Sequence, residues 1–270
     1  VTRPALFVEA DNGMGSARGD VDDGFALGAL LGAAADVRAL GSVFGNVPEA
    51  EADRNNRALC AAMGATVRHV RGSVRPGDDG GEAAAWLCAQ RQPLVVLALG
   101  PLSTLAAALA RGAPAVREVV LVGGDASSRG RWPPLWPYEF NLRLDRAAAA
   151  RVFASGVPIT VAPLDVGRRA LLSRGQLAAV PGAFGRHARA HAERWFRRAR
   201  RWQRRDAIRV YDLLAVACAA RPEALRVDDA RATMHRRGWL EFGRGRPVRV
   251  VRDFDPSLFD LLTAPGIVPA

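Results

Sequence analysis

Short apolar runs alternate with helix-forming stretches through the first 162 residues, and this alternation constrains the fold more than any other feature. The runs cover residues 5–10, 39–44, 66–70, 94–99, 118–122 and 158–162; stretches suited to helices cover 26–35, 51–63, 102–111 and 146–154. The runs are continuous in their apolar character, as expected of strands buried on both faces. Parallel strands joined by crossover helices are buried in that way. The pattern predicts a single α/β domain over residues 1–270, an open, mostly parallel sheet with helices on both faces. No internal repeat and no Ser/Gly/Pro linker divides the chain. An arginine-rich helical insertion is expected over 171–208, then a short β-rich part at 227–251 and a last helix near Pro256–Leu262.

Composition removes several function classes. The chain has no lysine, so all 38 basic residues are arginine. A P-loop needs its lysine for phosphate, a pyridoxal enzyme needs one for the Schiff base, and a protein kinase needs one on a strand. No apolar run approaches the roughly 18 residues of a membrane-spanning helix. Arg3 and Pro4 lead into a run that ends on Glu9 and Asp11, which does not read as a signal peptide. Cys60, Cys88 and Cys218 are odd in number, far apart and in no metal-binding spacing, so they read as thiols. A cytoplasmic protein is the resulting expectation.

In open parallel sheets ligands bind beyond the carboxyl ends of the strands. The residues at those positions are rich in acids and amides: Asp11 and Asn12, Gly45 and Asn46, Leu99 and Gly100, Gly123 to Asp125, and Leu164 and Asp165. The densest group is Glu9, Asp11, Asp20, Asp22 and Asp23, five acids in fifteen residues. Helix capping accounts for Asp22 and Asp23, where a helix dipole tolerates carboxylates. It leaves Glu9, Asp11 and Asp20 without a role. Packed carboxylates repel unless a cation neutralises them, and an all-oxygen donor set suits a hard cation such as Ca²⁺ or Mg²⁺.

Taken together, these residues resemble the nucleoside hydrolase family. Glu9, Asp11 and Gly13 followed by Asp22-Asp23-Gly24 resemble its Asp-x-Asp-x-Gly and Asp-Asp-Ala/Gly motif, with Glu9 replacing an Asp and the spacing about seven residues longer. Val43 to Asn46 resembles the family's Gly-Asn strand end. Leu99 to Thr104 resembles its Gly-Pro-Leu-Thr-Asn turn, and Val120 to Gly124 its Met-Gly-Gly strand end. Glu139-Phe140-Asn141 matches its Glu-Phe-Asn segment, and Tyr211-Asp212 falls where the family has His-Asp. The resemblance implies calcium-dependent hydrolysis of the N-glycosidic bond of a ribonucleoside or related ribosyl compound, giving ribose and free base. It implies Ca²⁺ held by Asp11, Asp23, Asp212 and the backbone carbonyl of Leu99. Asp22, Asn46, Glu139 and Asn141 become contacts to the ribose hydroxyls, and Asp11 also the general base. Tyr211 stands where a histidine would protonate the leaving base. Pro133 stands where the family has a further asparagine, and residues 75–92 lack the family's loop histidine. Dimers or tetramers, a small-molecule ribosyl substrate and no membrane partner also follow from the resemblance.

This chemistry suits the residue types. Cleaving C1′–N passes through an oxocarbenium-like transition state, which nearby carboxylates stabilise. A bound metal orients and acidifies a water, and an adjacent carboxylate takes its proton. The alternative is a non-hydrolytic nucleoside- or nucleotide-binding protein on the same scaffold, lacking the leaving-group acid.

Two further segments are open. Trp132, Trp136 and Tyr138, among Pro133, Pro134 and Pro137, can stack on a base or simply pack a loop. Within 186–205 nine arginines accompany one acid, Glu193. Phe184, Ala188, Ala192, Trp195, Ala199 and Trp202 recur at helical spacing and form one apolar face. A docked surface helix with a solvated basic face is the plainer reading. A lid with Trp195 or Trp202 near the base, and an arginine reaching a phosphate, is the functional one. No nucleic-acid motif surrounds the helix, so nucleic acid is not the expected partner. His187 and His191, with no metalloprotease glutamate pattern, read as surface histidines.

Overall fold

The computed structural model describes residues 4–127 and 139–263, apart from the side chains of residues 202 and 203. Trp132, Pro133, Pro134, Trp136, Pro137, Tyr138 and the Trp202 side chain therefore lie outside the described residues. The chain begins β1 (Leu6–Ala10), α1 (Asp22–Gly32), β2 (Val37–Ser42), α2 (Glu49–Met63), β3 (His69–Arg71) and α3 (Gly81–Ala89). It continues β4 (Leu94–Ala98), α4 (Ser103–Ala110), β5 (Val116–Val122), α5 (Asn141–Leu144), α6 (Arg146–Ala154) and β6 (Ile159–Ala162). Next come α7 (Leu164–Gly167), β7 (Leu171–Ser173), α8 (Arg174–Ala179), α9 (Gly182–Gln203), β8 (Ala207–Arg209) and α10 (Leu213–Ala220). The last strands are β9 (Leu225–Met234), β10 (Leu240–Phe242) and β11 (Arg246–Phe254).

Nine strands form one sheet in the order β10-β9-β11-β6-β5-β4-β1-β2-β3. From β3 to β6, and on to β11, all neighbours are parallel; β9 runs antiparallel to both β11 and β10. The β-rich C-terminal part is thus an extension of the main sheet. The last helix is a 3-10 segment, Pro256–Leu262, started by Pro256 and by Asp255 accepting from the Ser257 N–H at 2.8 Å. The expected strand at 66–70 forms later, at His69–Arg71.

Burial on both faces explains the continuous apolar runs. All five residues of β1 are buried. One core lies between the sheet and α1, α2, α9 and α10; the other lies against α3, α4 and α6. Every residue of α1 is buried, as in a helix enclosed on all sides. The chain runs outward from β1 to β3, then returns to the other side of β1 with β4. That reversal opens a crevice at the carboxyl ends of β1 and β4, where an open α/β sheet binds ligands.

The arginine-rich segment opens on β7 and closes on β8, which pair antiparallel with Leu172 opposite Ile208. Phe184, Ala188, Ala192, Phe196 and Ala199 of α9 are buried. Phe196, and not the expected Trp195, takes the central place on the docked face; Trp195 sits half-buried beside it. The docking is close: a Cβ at Gly28 of α1 would lie 2.0 Å from the Phe184 ring. Several arginines are structural. Arg174 pairs with Glu193 and Asp206 and lies over the Phe196 ring, and Arg189 donates to the carbonyls of Leu177 and Val180 at the end of α8. His187 and His191 are half-buried with ring centroids 4.6 Å apart, so they are less exposed than expected.

Candidate active site

The crevice holds a cavity of about 250 Å³ lined by Asp20, Asp22, Asp23, Asn46, Leu99, Val122, Phe140, Asn141, Leu164, Arg168, Tyr211 and Asp212. The acids and amides at this end of the sheet come from separate elements. Asp11 follows β1, Asp22 and Asp23 open α1, Asn46 follows β2, Leu99 follows β4, and Asp212 precedes α10. Side-chain oxygens of Asp22, Asp23 and Asp212 lie within 4.8 Å of one another, and all three residues are buried.

Asp11 lies just behind this trio. Its Oδ2 accepts from the Asn46 N–H at 2.7 Å, and its Oδ1 from Asn46 Nδ2 at 3.2 Å. Asn46 Nδ2 also donates to Asp23 Oδ2 at 3.2 Å, so one amide bridges the two carboxylates. The fit leaves no room at Gly45, where a Cβ would stand 1.8 Å from Asp11 Oδ2.

Burial raises the acids. Asp11 is pushed up to about 7, against the opposing Asn46 hydrogen bonds. Asp22, Asp23 and Asp212 are held well above the usual carboxylate range, first by burial and then by repulsion from neighbouring carboxylates, Asp11 acting on all three. Glu9 rises to about 8 through burial, with Asp11 and Asp78 adding and Thr104 opposing. Burial also raises Tyr211, which is already a weak acid.

These residues fit a hard divalent cation. The donors are all oxygen, the carboxylates are buried together, and Asp23 Oδ1 is buried with no hydrogen-bond partner among the described residues. An orphaned buried carboxylate oxygen costs free energy that coordination removes.

The expected site residues fall into three groups. Asp22, Asp23, Asn46, Leu99, Asn141, Tyr211 and Asp212 converge on the cavity. Asn141 Nδ2 donates to the Leu99 carbonyl, so these two meet directly. Asp22 stands within ligand distance of Asp23 and Asp212, whereas Asp11 is outside that closest trio. Glu139 is not in the lining, although Phe140 and Asn141 beside it are; it accepts from the Gly124 N–H and is raised by burial to about 7. Trp195 is not in the lining; its Nε1 donates to the Gly19 carbonyl at 2.9 Å, and Arg198 lies over its ring.

Sequence reasoning did not single out Arg168, Phe140, Val122 or Leu164 as site residues. Leu164 follows β6 and was visible by the strand-end rule; Arg168, one turn further on, had no signal. The other strand-end acids serve structure. Asp165 accepts from the Ala126 N–H at 2.8 Å, and Asp125 pairs with Arg168 at 3.5 Å. Asn12 also turns inward, bonded to Asn55, Asn56 and Met14.

Comparison with known proteins agrees with this geometry. Residues 10–260 match the family model described as inosine-uridine preferring nucleoside hydrolase. The non-specific ribonucleoside hydrolase RihC of Klebsiella pneumoniae is 33% identical over 238 residues, covering 75% of this chain and 77% of that protein. Its namesake in Salmonella agona is 30% identical over 258 residues, covering 83% of each. Among solved structures, a plant nucleoside hydrolase, the PpNRh1 enzyme, superposes with a TM-score of 0.79 at 20% identity, covering 99% of this chain and all of that one.

Proposed function

Since this chain belongs to the inosine-uridine preferring nucleoside hydrolase family and is a nucleoside ribohydrolase, we propose that it cleaves its substrate with Ca²⁺ held at the Asp22, Asp23 and Asp212 trio. The observation that carries the reading is this trio, with Asp11 immediately behind it, at the switch point of the sheet. Asp11, Asp23, Asp212 and the Leu99 carbonyl are the proposed ligands, and Asp22 is close enough to join them or to hold a ribose hydroxyl. When bound, the ion supplies Lewis acidity to a water and anchorage to the sugar hydroxyls.

The chain's own residues do the rest. Asp11 accepts the proton of the attacking water. The carboxylates around C1′ favour the positive charge that develops as the C–N bond breaks. Asn46, Asn141 and Glu139 hold ribose hydroxyls, and a sugar lacking one leaves a buried polar group unpaired. Tyr211 faces the leaving base as a hydrogen-bond donor. Family membership favours turnover over a purely binding role. Among the described residues no helix is long and apolar enough to cross a membrane. A cytoplasmic setting and a dimer or tetramer complete the proposal.

The test is ribose release from a panel of ribonucleosides with calcium and after chelation, beside Asp11→Asn. Calcium-dependent release lost in the variant supports the reading. Release unchanged by chelation refutes the metal.

A further inference from the structure

The cavity has one carboxylate more than the reaction above uses. Asp20 lines it beside Asp22, Asp23 and Asp212. It belongs to the stretch that lengthens the spacing between Gly13 and Asp22. That stretch is pinned in place. Trp195 Nε1 donates to the Gly19 carbonyl at 2.9 Å, Asn55 Nδ2 donates to Ser16 Oγ at 2.8 Å, and Gly13 and Gly19 pack so closely that a Cβ on either would lie 2.5 Å from the other's backbone. Asp20 Oδ1 accepts from the Val21 N–H at 2.6 Å. Tyr211 lines the same cavity, so Asp20 and the residue in the leaving-group position face one space.

The balance of charge is acidic. Among the described residues, four lining carboxylates face Arg168, itself paired with Asp125. Arg198 acts on Asp20 from the exposed side of α9, where solvent screens it. With all four ionised, a divalent cation and Arg168 together still leave the described lining negative.

Among the described residues the lining also holds no histidine to serve as the proton donor. The chain's four histidines are all described, and none lines the cavity. His69 is on β3, His187 and His191 are on α9, and His235 is in the turn between β9 and β10. A phenol such as Tyr211, with an ordinary pKa of about 10, protonates a leaving base poorly at neutral pH. A neutral base departs as an anion unless it is protonated. A base joined through a positively charged aromatic nitrogen departs neutral and needs no proton.

Resting on the ribohydrolase reading of this site, we infer that its preferred substrate is an N-ribosyl cation, a riboside of a quaternary aromatic nitrogen, and that Asp20 is the residue selecting for the charge. In the reaction the water oxygen bonds to C1′. The C1′–N electron pair moves onto the ring nitrogen and cancels its charge, and the water proton passes to Asp11 and then to solvent. Ribose, a neutral base and one proton result. Trp195 acts as a positioning residue, holding the Asp20 loop through Gly19.

The test measures kcat/KM with calcium for nicotinamide riboside, as the cationic probe, and for inosine and uridine as neutral ones. The wild type is compared with Asp20→Asn, Asp20→Glu and Trp195→Phe. The cation is expected to be favoured at least about tenfold in the wild type, and the cation-to-neutral ratio to fall about tenfold in Asp20→Asn. Asp20→Glu is expected to keep the preference, and Trp195→Phe to lower the ratio while still binding calcium. Equal use of the three ribosides by the wild type, or a ratio unmoved by Asp20→Asn, overturns the inference and leaves the ribohydrolase standing. Release from none of the three overturns both.

Discussion

The buried carboxylates make a metal-free form of this protein sensitive to pH in a direction opposite to ordinary acid denaturation. Burial moves Asp11 from 3.8 to about 7. Between those values the folded chain holds a proton that the unfolded chain has lost. Stability therefore falls as pH rises through this window and stays low above it. A gap of about 3 units at 1.36 kcal/mol each gives about 4 kcal/mol in full. About 2 kcal/mol of that falls between pH 5.5 and 8, because at pH 5.5 only part of the window has been crossed. Glu9, raised to about 8, adds in the same direction. A domain of this kind has roughly 5–15 kcal/mol in total, so the loss is large. A bound divalent cation takes the place of the protons and contributes about 4 kcal/mol at a thousandfold excess over its Kd. Urea unfolding at pH 5.5 and pH 8, with chelator or saturating calcium, measures both effects. The calcium series carries every other titrating group, so the difference between the series isolates the cluster. Chelated protein as stable at pH 8 as at pH 5.5, relative to that series, refutes the reasoning.

Four other outcomes are expected. Asp11→Asn lowers ribose release roughly 10³-fold by removing the base, measured by single-turnover kinetics on the variant. Gly45→Ala, whose methyl would stand 1.8 Å from Asp11 Oδ2, displaces that carboxylate and weakens calcium binding in titration calorimetry. Tyr211→His supplies an acid titrating near neutrality and raises kcat on inosine about tenfold at pH 6.5. Phe196→Ala removes the central anchor of α9 and costs about 3–5 kcal/mol in urea unfolding, whereas Arg200→Ala on the exposed side changes stability by less than about 0.5 kcal/mol.

The parallel sheet was legible because its cause is local. A strand covered on both faces carries an apolar run without alternation, and β4, the first three residues of β1 and the last four of β5 show that without any knowledge of their neighbours. Most of the site was legible for a related reason: open sheets bind ligands at strand ends, and Asp11, Asn46 and Leu99 stand there. The exchange of Trp195 for Phe196 on the docked face of α9 was not legible. Both lie within one step of the same helical stripe, and the choice depends on what the packed neighbours present opposite.

The amino-acid sequence by itself determined the α/β class, the acid-rich strand ends and the absence of a leaving-group histidine before Asp212. Each is a matter of residue type and spacing along the chain. Tertiary structure alone decided which acids share a centre. It brought Asp212 from the start of α10 to Asp22 and Asp23 across most of the chain, buried Glu9, and put Asp20 in the cavity lining. Chain spacing does not encode these distances. Packing sets them, and in a buried site distance and desolvation decide which charges repel, which share a cation and which face a substrate.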